Sequence, residues 1–171
     1  MNAAIGKNES QSAAVDSRAG KYLTFFLDSE EYGVEILKVQ EIIGRLPITP
    51  VPLTSTYIRG VINLRGKIHP IMDLKIKFGM AETQITDDTC IIVIKTSDMM
   101  MGVLVDKVSE VVNISSGDIE DPPAFGADVN LNYLLGVGKT GQRIRLLLDI
   151  ERVITTSDII HMKKVTTGDH P

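Results

Sequence analysis

Tryptophan is absent from this chain, and four phenylalanines, four tyrosines, three histidines and a single cysteine are thinly spread over its 171 residues. One cysteine can build neither a disulfide framework nor a thiolate zinc cluster; Cys90, at the head of the apolar run CIIVI, is expected to be a buried, inert thiol. Positive charge is also short. Eighteen basic residues against 22 acidic ones leave a net charge of −4, which offers no general attraction for a phosphate backbone or an anionic membrane surface. With so few rings to stack on bases, nucleic acid is a poor partner. No stretch approaches the roughly 20 apolar residues a bilayer span needs, and no basic segment followed by an apolar one opens the sequence, so a cytoplasmic location without membrane insertion is expected.

Catalytic chemistry is equally scarce. The GKT at Gly138 to Thr140 lacks the glycine a phosphate loop would need at Tyr133, and a strand follows where a helix should. His161 and His170 have no second ligand at metal spacing, and no nucleophile stands beside a base. No catalytic residue, metal or cofactor is expected.

What the chain does have is one hairpin written twice. GVINLRGKIHPIMDL, residues 60 to 74, reads as an apolar strand, a tight Arg65–Gly66 corner and an alternating return strand. In the return strand Ile68, Pro70, Met72 and Leu74 share one face, expected inward, while Lys67, His69 and Asp73 share a charged outer face interrupted by Ile71. GVGKTGQRIRLLLDI, Gly136 to Ile150, repeats the row as Ile144, Leu146, Leu148 and Ile150 at an offset of 76. His69 then corresponds to Arg145, both expected to be solvated, and Asp73 to Asp149, both placed to cap the helical turn that follows. A second pair aligns at an offset of 69, where YGVEILKVQEII from Tyr32 lies on MGVLVDKVSEVV from Met101. The seven extra residues fall in the loop Ile114 to Leu135, around Pro122 and Pro123, where an insertion is tolerated.

In chain order, residues 1–20 are too polar to offset ordering entropy and are expected to form a disordered tail. YLTFFL and YGVEI read as strands about a polar turn, and LKVQEII as mostly strand with a possible helical turn. Pro47, Pro50 and Pro52 enforce a loop before the hairpin. LKIKFG suits a short helix ending at Gly79, and ERVITTSDIIHM one or two more before a flexible tail at 163–171. The fold class is therefore mainly β: two small β-barrels of roughly five strands each from an internal duplication, with a few short helices. The repeats fall at about 21–83 and 88–157 within a domain of 21–162, with exchange of strands between the barrels left open. Barrels this small are marginal alone, so a shared apolar interface with a groove at its seam is expected.

EEYGVEILKVQEI, YIRGVINLRGKIHPIMDLKIKFG, DKVSEVV and YLLGVGK, in that order and register, resemble the CheW family of bacterial chemotaxis coupling proteins over about residues 21 to 160. The resemblance implies two small, intertwined five-stranded barrels, SH3-like or OB-like, and a non-enzymatic adaptor. It also implies the partners: the cytoplasmic tip of a chemoreceptor, that is a methyl-accepting chemotaxis protein, and the CheW-like regulatory domain of the histidine kinase CheA, met in membrane-associated arrays. Carried over residue by residue, receptor contacts fall on Ile36, Val39, Glu41, Gly60 and Arg65, and a kinase contact on Gly136. Ile36 and Val39 read equally well as core, since their repeat mates are Val105 and Val108. Arg65 is the sharper position: its mate is Gly141, so the turn itself does not require an arginine. Gly60 and Gly136 first serve the close approach of strands. A nucleic-acid-binding double barrel, or a paralogous coupler for another motility or signalling pathway, are the alternative readings.

Overall fold

The computed structural model describes residues 17–44, 46–52, 54–123 and 131–167. The elements are β1 (Gly20–Leu27), β2 (Glu30–Glu35), a 3-10 turn (Ile36–Lys38), β3 (Val39–Ile43), β4 (Ile58–Leu64), β5 (Lys67–Asp73) and α1 (Leu74–Lys77). They continue with β6 (Cys90–Lys95), β7 (Met100–Val105), β8 (Lys107–Ile114), a 3-10 turn (Ser116–Asp118), β9 (Ile119–Glu120), β10 (Leu134–Thr140), β11 (Arg143–Leu148), α2 (Ile150–Val153) and α3 (Thr156–Thr167). Most of the expected amino-terminal tail lies outside the described residues, as do 168–171 with His170, but regular structure reaches into both expected tails. Gly20 already pairs with Ile114, and α3 continues past residue 163 with Val165 buried.

Two sheets result, one ordered β8-β1-β2-β11-β10-β9 and the other β3-β6-β7-β5-β4. Each takes strands from both repeats. Their registers coincide: Leu147 lies beside Gly33 in the parallel β11–β2 pair as Ile71 lies beside Gly102 in β5–β7. The two-residue β9 makes the first sheet six-stranded; in the second, Thr49 occupies the same edge through an isolated bridge to Val61. Among the described residues no backbone ladder joins β8 to β9 or β3 to β4, so neither sheet is closed by hydrogen bonds.

The duplication places apolar side chains in three clusters. Ile62, Ile71, Ile91, Val93 and Leu104 fill the five-stranded sheet, and Tyr22, Ile114, Ile119 and Leu147 the six-stranded one. The largest lies between them, where Phe25, Tyr32, Met72, Ile92, Met101 and Leu148 from both sheets meet Met162 of α3. Burying a residue of this size contributes on the order of 1.5–3 kcal/mol, so the shared cluster holds the halves together. It also alters the reading of β5. Ile71 faces its own sheet's core and Met72 the shared one, so both faces of the strand are buried at this end. Asp73, expected on an outer face, is fully buried, and Ile68 and Ile144, expected inward, are 44% and 58% exposed because their row runs past the shared core near the turn.

Asp73 tolerates burial because every lone-pair direction is used. Its Oδ1 accepts from the Lys75 N–H at 3.1 Å and the Thr83 hydroxyl at 2.8 Å, its Oδ2 from Arg59 and the Thr83 N–H at 2.9 Å each. The first of these is the expected helix cap, and Asp149 caps α2 likewise through the Glu151 N–H at 3.1 Å.

Candidate functional site

The corner between β4 and β5 holds two consecutive left-handed residues, Arg65 at φ 52° and Gly66 at φ 84°, the requirement of a tight two-residue hairpin turn. Asn63 steadies it by accepting the Gly66 N–H at 2.9 Å. Arg65 then reaches across to β3 and donates to both oxygens of Glu41, at 2.6 and 2.8 Å. A register shift between Val39 and Glu41 in the β3–β6 ladder precedes the carboxylate. The guanidinium's hydrogen bonds and charge hold Glu41 below the usual carboxylate range, and the same contacts raise Arg65 above its ordinary value. Arg65 remains 72% exposed. Two residues expected to meet a receptor are thus brought together as one fork-on-carboxylate pair. Together with Gln40 they line one side of an open groove of about 810 Å³ that runs on past Leu64, Lys67, His69, Val93 and Met100.

Ile36 and Val39 are half-buried and pack against the shared core, Ile36 in the 3-10 turn and Val39 at the start of β3. Between them the chain carries a residue that sequence reasoning passed over. Leu37 projects with 88% of its surface exposed, beside a shallow groove lined by Arg18, Tyr22 and Ile36. Its signal was present in the strand-to-turn ambiguity of LKVQEII, since a turn breaks the alternation that would have buried it.

Gly60 and Gly136 answer to the backbone. A Cβ on Gly60, whose φ is +142°, would stand 2.1 Å from the Thr49 carbonyl oxygen; one on Gly136 would stand 2.8 Å from that of Glu120. Both sit where a short outer segment crosses the hairpin, so they lie about one repeat apart in function as in sequence. They are separate from the Arg65–Glu41 pair, with Gly136 in the other sheet.

Two expectations are corrected. Arg145, expected to be solvated like His69, is only 3% exposed: its Nε donates to Glu31 at 2.7 Å, its Nη2 to Glu110 at 3.2 Å and its Nη1 to the Thr140 hydroxyl. Arg143, two residues earlier on the same strand face, joins Glu31 at 2.6 Å. Alternation in RIRLLL marked the two arginines as neighbours, while Glu31, across in β2, could not be matched to them from spacing. Cys90 is half-buried rather than buried, with its thiol donating to the Asp88 carbonyl at 3.3 Å.

Comparison with known proteins agrees with the architecture. A family model described as the CheW-like domain matches residues 21–158. The chain is 38% identical over 152 residues to the chemotaxis protein CheW of Klebsiella aerogenes, covering 86% of this chain and 92% of that one. It is 33% identical over 134 residues to CheW of Helicobacter pylori, covering 78% and 81%. Among solved structures, the scaffolding protein TtCheW of Thermoanaerobacter tengcongensis superposes with a TM-score of 0.73 at 32% identity, over 82% of this chain and 95% of that one.

Proposed function

The chain belongs to the CheW family of chemotaxis scaffold proteins, and on that premise we propose that it is a non-enzymatic adaptor coupling the cytoplasmic tips of chemoreceptors to a CheA-type histidine kinase. Its place is at membrane-associated receptor arrays, which it joins through protein contacts; no helix among the described residues is long and apolar enough to cross a membrane.

The observation that carries this reading is the Arg65–Glu41 pair. The duplicated turn has Gly141 at φ 63° where the first has Arg65, so the hairpin is served by glycine and the arginine is retained in a backbone conformation that favours glycine. Its exposed fork, steadied by Glu41, is suited to a carboxylate or carbonyl on the receptor helix, with Ile36 and Val39 offering apolar surface near the seam. Gly60 holds this corner in shape. Gly136 does the same beside β9, the edge we assign to the kinase. Purified protein mixed with a receptor cytoplasmic fragment and CheA should bring both into one sedimenting complex and make kinase autophosphorylation receptor-dependent. Failure to bind either partner at micromolar concentration would overturn the reading.

A further inference from the structure

Apart from β9, whose place an isolated bridge takes in the five-stranded sheet, the strands of the two sheets correspond, so residues at the mouth of one have counterparts at the mouth of the other. The shared register makes Met100 the counterpart of Glu31, Glu41 that of Glu110, and Lys67 and His69 those of Arg143 and Arg145. In the six-stranded sheet the position is filled from within. Glu31, 5% exposed, accepts from Arg143 at 2.6 Å and from Arg145 at 2.7 Å, and two cations with two carboxylates close the mouth.

The five-stranded sheet keeps the cations' places but not the central carboxylate. Met100 stands where Glu31 would be, and Glu41 is engaged from the side by Arg65. Among the described residues the Lys67 ammonium and the His69 ring have no side-chain hydrogen bond or ion pair, and both line the open groove of about 810 Å³ with Leu64, Val93 and Met100. With Glu41 balanced by Arg65, the charge of Lys67 is left uncompensated.

We propose that this open mouth recognises an acidic side chain on a protein partner. The incoming carboxylate takes the place Glu31 holds in the other sheet, accepting hydrogen bonds from Lys67 and His69, while apolar neighbours on the same segment lie against Leu64, Val93 and Met100. The occupant is an exposed protein segment, because a free anion would leave the apolar lining unused. The proposal rests on the adaptor reading only for the existence of a protein partner, and it adds the chemistry by which that partner is chosen.

The test is a titration of the isotope-labelled full chain with the blocked peptide Gly-Leu-Glu-Leu-Gly, followed through backbone amide shifts. Saturable changes are expected at Leu64, Lys67, His69 and Met100, with the Gln-containing peptide binding about tenfold more weakly. Met100→Glu restores the missing carboxylate within the chain and should abolish the changes, whereas the uncharged Met100→Gln retains saturable binding. The double variant Lys67→Gln/His69→Gln should lose it. Equal binding of the two peptides, shifts elsewhere on the molecule, undiminished binding to Met100→Glu, or the same saturation with acetate alone would each overturn the proposal. Because the probe is a peptide, a failure to assemble receptor and kinase would sink the adaptor reading without touching this one.

Discussion

Arg65, at the corner after β4, and Glu41 of β3 tie together the two end strands of the five-stranded sheet, which no backbone ladder joins among the described residues, through a two-pronged contact at 2.6 and 2.8 Å. The pair is exposed, and exposed pairs contribute little to stability, so its geometry is better explained by what it presents than by what it holds. The left-handed backbone at Arg65 separates the two roles experimentally. Arg65→Gly and Arg65→Ala both remove the fork, but glycine fits the turn, and it should leave the fold about 1 kcal/mol more stable than alanine does. Both variants should bind receptor fragments about tenfold more weakly than the natural protein. Denaturation midpoints and receptor sedimentation measured side by side check this; binding that tracked stability would return Arg65 to a turn role.

The two crossing glycines should act through folding. Alanine at Gly60 meets both a prohibitive φ and the Thr49 carbonyl at 2.1 Å, and should lower stability by about 3 kcal/mol or more. Alanine at Gly136 meets the Glu120 carbonyl at 2.8 Å without the backbone penalty, and about 1–2 kcal/mol is expected. Urea unfolding of both variants gives the ordering, and any loss of partner binding should follow it. A Gly60→Ala protein of natural stability that no longer bound receptor would instead make Gly60 a contact residue.

Why some of this was legible in the sequence, and some not, follows from what a period of two can report. Alternation in KIHPIMD separates Ile71 from Met72, and the offsets of 69 and 76 relate the register of one sheet to that of the other, because duplicated strands keep duplicated registers; which strands cross between the sheets was not legible. Asp73 and Asp149 were readable as caps because a cap is local. The pattern does not say that each face of β5 has its own core, so Asp73 was assigned to solvent and Ile68 to the interior. Nor could it pair Glu41 with Arg65, or Glu31 with Arg145, since those contacts depend on how separate strands are brought across the sheet.

The buried arginine gives the largest single effect. Glu31→Ala would leave the Arg145 guanidinium enclosed without its principal acceptor, and a loss of about 3–5 kcal/mol is expected. The double variant Glu31→Leu/Arg145→Leu removes both buried charges and should be less destabilised than Glu31→Ala. Chemical denaturation of the three proteins decides it; a double variant worse than the single one would mean that packing around the guanidinium, rather than its charge, sets the stability.

The carboxyl-terminal helix is held by a clasp whose pH dependence can be signed. Asp158 Oδ2 accepts from the Thr155 N–H at 2.9 Å and from Lys77 at 2.6 Å, its Oδ1 accepts from the Tyr57 hydroxyl, and its own N–H donates to the Thr155 hydroxyl at 3.1 Å. Thr155 and Asp158 therefore cap α3 reciprocally, while Lys77 and Tyr57 fasten that cap to the five-stranded half. Burial alone would raise the Asp158 carboxyl, but the hydrogen bonds from Lys77, Tyr57 and the Thr155 N–H, with the Lys77 charge, hold it below its ordinary 3.8. A depressed folded value means the contribution is complete above the unfolded value and disappears as pH falls through the folded one, so the clasp should begin to weaken as pH falls below the ordinary 3.8 and be lost at the lower folded value. Burial raises the Tyr57 phenol, as does its hydrogen bond to Asp158, so the other limit lies above the usual tyrosine value, where ionisation of the phenol in the unfolded chain begins to draw the fold apart. Asp158→Asn should lower stability by about 2 kcal/mol at neutral pH and flatten the acid limb. Hydrogen exchange across residues 156–167, expressed as protection relative to the intrinsic amide rate at each pH, reports the helix directly: protection that falls at acid pH in the natural protein, and protection already low at neutral pH in the variant, are expected, and equal protection in both would remove Asp158 from the clasp.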